Sequence, residues 1–152
     1  MIYLKDVTKE NLFDIIKLHD TLTDIQKKCV APNVVSIAQA YVNPQAWPKG
    51  IYDDQELIGF VMLALSDEDI DDADQPAYFL WRFMIRRDVQ NKHYGKRVLD
   101  LLVEKARAEG QKYLYTSCDM KNPMPYQFYI SYGFMDTGVT HDDEEILKLK
   151  LS

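Results

Sequence analysis

The stretch DVQNKHYGKRVLDLLVEKARAEG, residues 88–110, joins a polar turn to a strongly amphipathic helical pattern. From Gly95 to Ala108 apolar residues recur at the spacing of a helix that buries one face. Gly110 follows at the place where a left-handed glycine commonly ends a helix. The residues predicted to face inward are Val98, Leu99, Leu102 and Ala106.

This helix lies between two predicted strands, Ala77–Ile85 and Lys112–Ser117. A strand, a crossover helix and a second strand of the same sheet nearly always form a right-handed unit with parallel strands. The other predicted strands are joined by short turns, which favours antiparallel pairing. We therefore predict an α/β (α+β) fold with a central mixed, largely antiparallel sheet and one parallel β-α-β crossover, flanked by helices.

The rest of the chain divides into short elements. Ile2–Val7 alternates apolar and polar residues as a half-buried strand does, and Thr8 can cap the helix that follows it. Continuous apolar character over Val61–Leu65 predicts a strand in the centre of the sheet. The remaining predicted elements are a helix at Ser36–Tyr41, strands at Gly50–Tyr52 and Glu56–Leu65, a loop at Ser66–Pro76, a helix from Pro123 to Tyr132 and two strands within Phe134–Leu151.

Size and composition limit the class of protein. The 152 residues fit one core, so we assign residues 1–152 to a single domain. A formal net charge of −6 argues against nucleic acid as a partner. Cys29 and Cys118 form no CxxC pair and have no histidine at ligand spacing, so we expect reduced thiols and no metal. No apolar leader or membrane-length apolar run is visible, which predicts a cytoplasmic protein without a membrane partner.

Positive charge is concentrated at the start of the predicted helix, although the chain as a whole is acidic. Cations at a helix N-terminus oppose the helix dipole, so helix stability does not account for them. Unpaired N–H groups and the dipole make such a terminus a binding site for phosphate groups. The alternative is that the cations only keep an exposed helix end solvated. Residues 86–97 contain one acidic residue and five cationic residues, Arg86, Arg87, Lys92, Lys96 and Arg97.

The turn has a familiar pattern. QNKHYG, residues 90–95, resembles the Q/R-x-x-G-x-G/A signature of the GNAT superfamily of N-acetyltransferases. Gln90 and Gly95 match, and His93 stands where the first glycine is usual. The resemblance implies that the amides of the turn hold the pyrophosphate of acetyl-CoA. It assigns cofactor binding to Gln90, Asn91, Lys92, His93, Tyr94, Gly95 and Lys96.

Two further segments resemble the same superfamily. NPMPYQFYISYGF, residues 122–134, is similar to the signature N-x-x-A-x-x-F-Y-x-x-x-G-F except at the alanine, which adds Asn122 to the cofactor residues. FLWRFMI, residues 79–85, resembles the strand whose backbone pairs with the pantetheine arm, which adds Met84 and Ile85. Together with the same order of elements, the resemblance extends over nearly the whole chain and implies a GNAT-like fold. Within the superfamily they look most like bacterial spermine/spermidine (diamine) acetyltransferases.

The resemblance implies an acetyl-CoA-dependent N-acetyltransferase that acts on a primary amine of a small polyamine and forms a homodimer. It assigns Tyr129 as the acid beside the thioester sulfur. Neither cysteine has the setting of a nucleophile, which favours direct transfer in a ternary complex. Two alternatives stay open: acetylation of protein N-termini or amino-acid-like amines, and a non-catalytic acyl-CoA-binding module.

The acceptor side is less closely defined. The acidic run Asp67–Asp74 can attract a polycation or can simply be a solvated loop. Trp81 can line the amine site through a cation–π contact or belong to the core. The general base stays open among Glu56, an acid of the 67–74 run and a bound water. The candidate substrate residues are Trp81, Glu56, Asp67 and Asp69, and His19 and His141 are expected to be structural.

Overall fold

A computed structural model describes residues 1–152. The strands are β1 (Ile2–Asp6), β2 (Ala46–Asp53), β3 (Glu56–Ala64), β4 (Ala77–Ile85), β5 (Tyr113–Asp119), β6 (Met135–His141) and β7 (Glu144–Lys150). They form one sheet in the order β1-β2-β3-β4-β5-β7-β6, in which only β4 and β5 pair in parallel. The predicted mixed, largely antiparallel sheet with one parallel crossover is confirmed.

Helices cover both faces of this sheet. They are α1 (Leu12–Leu18), α2 (Asp24–Cys29), α3 (Asn33–Val42), α4 (Tyr94–Ala108) and α5 (Pro123–Tyr132). On β3, Phe60 and Met62 pack with α1 and α3, whereas Val61 and Leu63 pack with α4. All of β3 from Ile58 to Ala64 is buried, so the predicted central strand is confirmed. None of the helices combines the length and apolar character needed to cross a bilayer.

The crossover helix agrees closely with its prediction. It begins at Tyr94, one residue before the predicted start, and ends at Ala108. Gly110 has a φ of +76°, the left-handed conformation expected after a helix. All four residues predicted to face inward are buried: Val98, Leu99, Leu102 and Ala106.

At the N-terminal helices one prediction is wrong and one helix was not predicted. Thr8 does not cap α1; its backbone N–H donates to Asn11 Oδ1 (2.7 Å), and Asn11 precedes the first residue of the helix. Helix α2 was not predicted, although Thr23 and Gln26 form a capping box at its start. The pattern Thr-x-x-Gln was available in the sequence, but the six-residue helix is too short to show a periodic apolar face.

Two elements are longer than predicted. Helix α3 starts at Asn33 instead of Ser36, because the buried Asn33 amide donates to Ile15 O (2.8 Å) and ties this end to α1. Strand β2 starts at Ala46 instead of Gly50. Its Pro48 is tolerated because β1 pairs only with residues 49–53, so no neighbouring strand needs the missing N–H on that side.

The two parallel strands separate along their length. β4 pairs with β5 only from Ala77 to Leu80, although β4 continues to Ile85 and β5 to Asp119. A bulge lies where the strands separate: Leu80 lies opposite Leu63 and Arg82 opposite Met62, which leaves Trp81 between them without a partner. The sheet is therefore open at the carboxyl ends of its parallel strands, where ligands bind in α/β folds.

Candidate active site

Two clefts lie at this opening and share a wall. The apolar cleft, of about 540 Å³, runs along the end of β4 to the start of α4. The charged cleft, of about 640 Å³, lies among β4, β5, the start of β7 and residues 67–69. A molecule in one cleft can meet a molecule in the other beside the residues that line both. These are Cys29, Val30, Phe83, Pro125 and Tyr129.

All but one of the residues predicted to bind the cofactor line the apolar cleft. Lys92 is outside the lining, with its side chain exposed beside the turn. Apolar side chains such as Leu22, Val30 and Phe128 form much of the remaining wall. The cleft thus has a polar turn at one end and a hydrophobic channel leading to Tyr129. The predicted residues in its lining are Met84, Ile85, Gln90, Asn91, His93, Tyr94, Gly95, Lys96 and Asn122.

The turn before α4 exposes its backbone N–H groups. Asn91 and His93 have φ values of +65° and +64°, so the chain coils tightly just before the helix starts. The N–H groups of residues 91–96 have no hydrogen-bond partner within the protein. Successive free amides at a positive helix end suit a phosphate or diphosphate. His93, which replaces the usual glycine, adopts the left-handed conformation at a cost of roughly 1–2 kcal/mol.

Gly95 lies where helix α4 packs against α5. A Cβ at this position would lie 3.1 Å from the ring of Phe128. The glycine therefore lets the start of α4 pack closely against α5, which carries Tyr129.

Gln90 connects the turn to two other elements. Its Nε2 donates to Ile85 O (2.9 Å), and its Oε1 accepts from Gln26 Nε2 (3.0 Å). Helix α2 is thereby tied to the end of β4. Beyond Leu80 the β5-facing edge of β4 has no strand partner, so backbone groups there can pair with an extended ligand. Asn122 accepts from Met124 N (3.3 Å) and caps α5.

Tyr129 lies at the junction of the two clefts. Its side chain is only 6% exposed and packs against the rings of Phe128 and Phe134, whose centroids are 5.3 and 5.2 Å away. Burial raises the pKa of the Tyr129 phenol above its usual value, and the hydroxyl of Thr116 offsets part of that rise. The phenol is therefore protonated at neutral pH, as a proton donor must be.

The charged cleft has an excess of negative charge on its wall. Six carboxylates and three cations line it, together with His141. Such an excess attracts a cationic ligand and raises its local concentration. The carboxylates are Asp67, Glu68, Asp69, Asp119, Asp142 and Glu144, and the cations are Lys27, Lys28 and Arg82.

The acidic run 67–74 is divided between two roles. Asp67 and Asp69 line the charged cleft, where Asp69 Oδ2 is 2.9 Å from His141 Nδ1. Asp74 instead is buried and pairs with Lys148 Nζ (2.8 Å). The run is thus not a uniformly solvated loop, because its first part belongs to the cleft wall and its end anchors the loop to β7.

Trp81 and Glu56 lie in very different places. Trp81 lines the charged cleft, but the guanidinium of Arg82 is 5.0 Å from the centroid of its ring and already supplies a cation–π partner. Arg82 Nη2 donates to Gln39 Oε1 (3.3 Å), while its buried Nε has no partner. Glu56 lines neither cleft; its exposed carboxylate pairs with Arg86 Nη2 (2.7 Å) at the other end of β3. The structure therefore does not bring Glu56 to the other candidate residues.

Sequence reasoning missed Glu144 and Ser117. Ser117 Oγ donates to Glu144 Oε1 (3.3 Å) in the charged cleft. Burial raises the pKa of Glu144, and the Ser117 hydroxyl offsets part of the rise. The polar turn before β7 was visible in the sequence, but its position beside β5 was not, because β6 separates it from β5 along the chain.

Both thiols are in settings that keep them protonated. Burial raises the pKa of Cys118 to about 12 and also raises that of Cys29. A thiol with a raised pKa is a poor nucleophile at neutral pH. The two cysteines are free, as expected. No group of three or more His, Cys, Asp or Glu side chains is arranged to hold a metal ion.

Comparison with known proteins agrees with this geometry. Residues 17–134 match the model of the acetyltransferase (GNAT) family. The chain is 29% identical over 138 residues to a spermine/spermidine N(1)-acetyltransferase of Bacillus subtilis strain 168, with 90% of each chain covered. A probable spermine N(1)-acetyltransferase of Bacillus subtilis subsp. natto matches to the same extent. Among solved structures, PaiA N-acetyltransferase of Thermoplasma acidophilum in complex with coenzyme A is similar, with a TM-score of 0.72, 17% identity and 99% of each chain covered.

Proposed function

The chain belongs to the acetyltransferase (GNAT) family, and on that premise we propose that it acetylates a primary amine of a small polyamine with acetyl-CoA. One observation carries the proposal. An apolar cleft that ends in free amides and a cleft rich in carboxylates meet beside Tyr129. This arrangement lets an acyl thioester and a cationic amine approach each other from opposite sides.

The apolar cleft fits coenzyme A in its chemistry. Free N–H groups of residues 91–96 suit the diphosphate, and the unpaired edge of β4 at Met84 and Ile85 suits an extended amide-bearing arm. Lys96 adds positive charge in the lining. We assign these groups to holding acetyl-CoA, which when bound supplies the activated acetyl group.

Tyr129 is the proposed acid for the departing thiolate. The side chain lies on the wall between the clefts, and its hydroxyl is held in its protonated form by burial. Direct transfer in a ternary complex follows from the same geometry, because the neighbouring thiols Cys29 and Cys118 are protonated and weakly nucleophilic.

The carboxylate wall supports a polyamine as acceptor. An alkyl ammonium has a pKa near ~10.4, so it enters as a cation and is attracted to Asp67, Asp69 and their neighbours. The Bacillus relatives, whose names specify spermine and spermidine, act as an independent line of support.

One observation favours a second candidate acceptor, an amine that also carries a carboxylate. Arg82 lines the charged cleft with a buried Nε that has no partner, and Lys27 and Lys28 lie on the same wall. An amino-acid-like amine or a peptide N-terminus close to a carboxylate could use both signs of charge. A polyamine would interact only with the carboxylates of the cleft.

An amine panel tests the proposal. The purified protein is incubated with acetyl-CoA and spermidine, spermine, putrescine, free amino acids or short peptides, and free thiol is followed with time. We expect turnover with the polyamines to exceed that with the others by at least tenfold. Preference for amino acids or peptides would replace the polyamine by the second candidate. Tight binding of coenzyme A with no turnover on any amine would make the protein a binding module.

A homodimeric state, which the family resemblance implies, and a cytoplasmic location remain predictions. Light scattering across a range of protein concentrations tests the first. A mass of about twice the 17.8 kDa of the chain is expected.

A further inference from the structure

Glu144 has no role in the function described so far, yet it occupies a distinctive place in the charged cleft. It is the first residue of β7, directly opposite Asp119 at the end of β5. β5 ends and β7 begins at the opening where β4 and β5 separate. Resting on the proposed function, we propose that Glu144, held by Ser117, is the base that takes the proton from the acceptor amine.

The neighbouring strand orients the Glu144 carboxylate. Ser117 Oγ donates to Glu144 Oε1 (3.3 Å), and both residues line the charged cleft that Tyr129 also lines. The carboxylate is half-buried, so it is shielded from bulk water but open to a ligand in the cleft. Base and acid are thus on the wall of the same cavity, as general acid–base catalysis of acyl transfer requires.

The other carboxylates of the cleft already have a hydrogen-bond or ion-pair partner, or are exposed to solvent. Asp67 accepts from Asp69 N (2.8 Å), which fixes it within its own loop. Asp69 is paired with His141 Nδ1, and Asp142 lies 3.6 Å from the other ring nitrogen of that histidine. Asp119 accepts from Lys121 N (2.9 Å).

Two carboxylates remain, and they differ in exposure. Glu68 is exposed to solvent, where water competes for any proton it takes up. Glu144 is the half-buried carboxylate whose partner is a neutral hydroxyl. A carboxylate that lacks an ion-pair or amide partner is a stronger base, since its charged form is stabilised less.

The charges that face Glu144 come from several elements. Arg82 on β4 favours the charged carboxylate, whereas Asp119 on β5 and Asp142 in the hairpin favour the neutral acid. Lys27 and Lys28 after the capping box of α2, and the acidic residues 67–69, complete the wall of the cleft. Burial outweighs the attraction of Arg82, and the pKa of Glu144 is raised.

The acceptor amine needs a general base to remove its proton. At pH 7 only about one in 2,500 alkyl amines of pKa ~10.4 is neutral and can attack a carbonyl carbon. In the proposed step one N–H bond of the ammonium breaks, one O–H bond forms on Glu144, and nitrogen keeps the electron pair for its bond to the acetyl carbon. The C–S bond of the thioester breaks as the N–C bond forms, Tyr129 gives its proton to the departing sulfur, and the second proton lost by nitrogen restores the Tyr129 hydroxyl. Ammonium and acetyl-CoA give amide, coenzyme A thiol and one proton overall. Glu144 carries that proton to water.

The substitution Glu144→Gln tests the proposal, with Glu145→Gln as its matched control. Glu145 is the next residue of β7, points to the opposite face of the strand and lines neither cleft. For spermidine at pH 7 we expect kcat of Glu144→Gln to fall about 10²–10³-fold. KM and the affinity for coenzyme A should change little. Glu145→Gln should stay within twofold of the original protein, and Glu144→Asp should recover part of the rate.

The pH profile distinguishes a base from a residue that only shapes the cleft. Protonation removes the base, so activity of the original protein should fall as pH drops through the raised pKa of Glu144. Glu144→Gln should lack this limb and follow the fraction of neutral amine, rising about tenfold per pH unit towards the pKa of the acceptor. A readout without turnover is ¹³C NMR of labelled glutamates, in which one carboxyl should titrate above the others and be missing from Glu144→Gln.

The outcomes separate the two proposals. A kcat of Glu144→Gln within threefold of the original, or a loss confined to KM, overturns the role of Glu144 while polyamine acetylation stands. If the original protein uses a different amine, the polyamine proposal fails and the same variants are compared on that amine. If it acetylates no amine at all, both proposals fail.

Discussion

The apolar and charged clefts differ in how the chain builds them. The apolar cleft is formed largely by two continuous segments, residues 83–96 and 122–129, with helix α2 closing one side. The charged cleft takes short pieces from the α2 segment, residues 67–69, β4, β5 and the β6–β7 hairpin. A site formed by continuous segments keeps its residue spacing, so it can be recognised in a sequence. A site assembled from distant pieces has no such spacing.

The largest effect is expected at Tyr129, where the two clefts meet. Tyr129→Phe removes only the hydroxyl, so kcat should fall about 10²–10³-fold while the affinity for coenzyme A stays within twofold. Steady-state kinetics and calorimetry with coenzyme A measure the two quantities. Tyr126→Phe is the matched control, because its hydroxyl lies on the same helix but bonds to Asp136 and lines neither cleft. Equal rates for both variants would remove Tyr129 from the chemistry.

The next effect should act on the apolar cleft through the end of β4. A Cβ at Gly59 would lie 2.4 Å from Met84 O, a backbone atom of the strand assigned to the pantetheine arm. Gly59→Ala must therefore displace β4, and we expect about 1–3 kcal/mol of lost stability together with weaker binding of coenzyme A.

Thermal denaturation and calorimetry measure these changes. Gly50→Ala on the neighbouring strand is the control, because its Cβ would meet only the ends of side chains, at 3.2–3.4 Å. Normal coenzyme A affinity in Gly59→Ala would show that the end of β4 does not position the cofactor.

The smallest effect concerns the charged cleft alone. Asp67→Asn with Asp69→Asn should raise the KM for spermidine about fivefold at low salt, or about 1 kcal/mol, and leave the affinity for coenzyme A unchanged. The difference should shrink as salt is added, because partly exposed charges are screened. The control is the double variant Asp71→Asn with Asp72→Asn. It removes the same amount of negative charge from the same acidic run, but these two residues do not line the cleft. The same rise in KM in both pairs would mean that net charge, and not the cleft wall, attracts the amine.

Much of the fold followed from local patterns. The strand–helix–strand unit around α4 was predicted to within two residues at every boundary, because long apolar runs and the terminal Gly110 mark it. Helix α2 was missed because six residues carry no periodicity. The positions of Trp81 and Glu56 could not be decided, since a bulge places the first on the cleft wall and an ion pair holds the second far from it.

The sequence by itself determined the family, the crossover unit and the amide-rich turn at residues 90–96, because each depends on residues that are neighbours along the chain. Only the tertiary structure decided which carboxylates share a cavity with Tyr129. β7 inserts between β5 and β6, so Glu144 comes to lie beside Ser117, 27 residues earlier. Strand order and the parting of β4 from β5 depend on packing of the whole sheet, which no local spacing encodes.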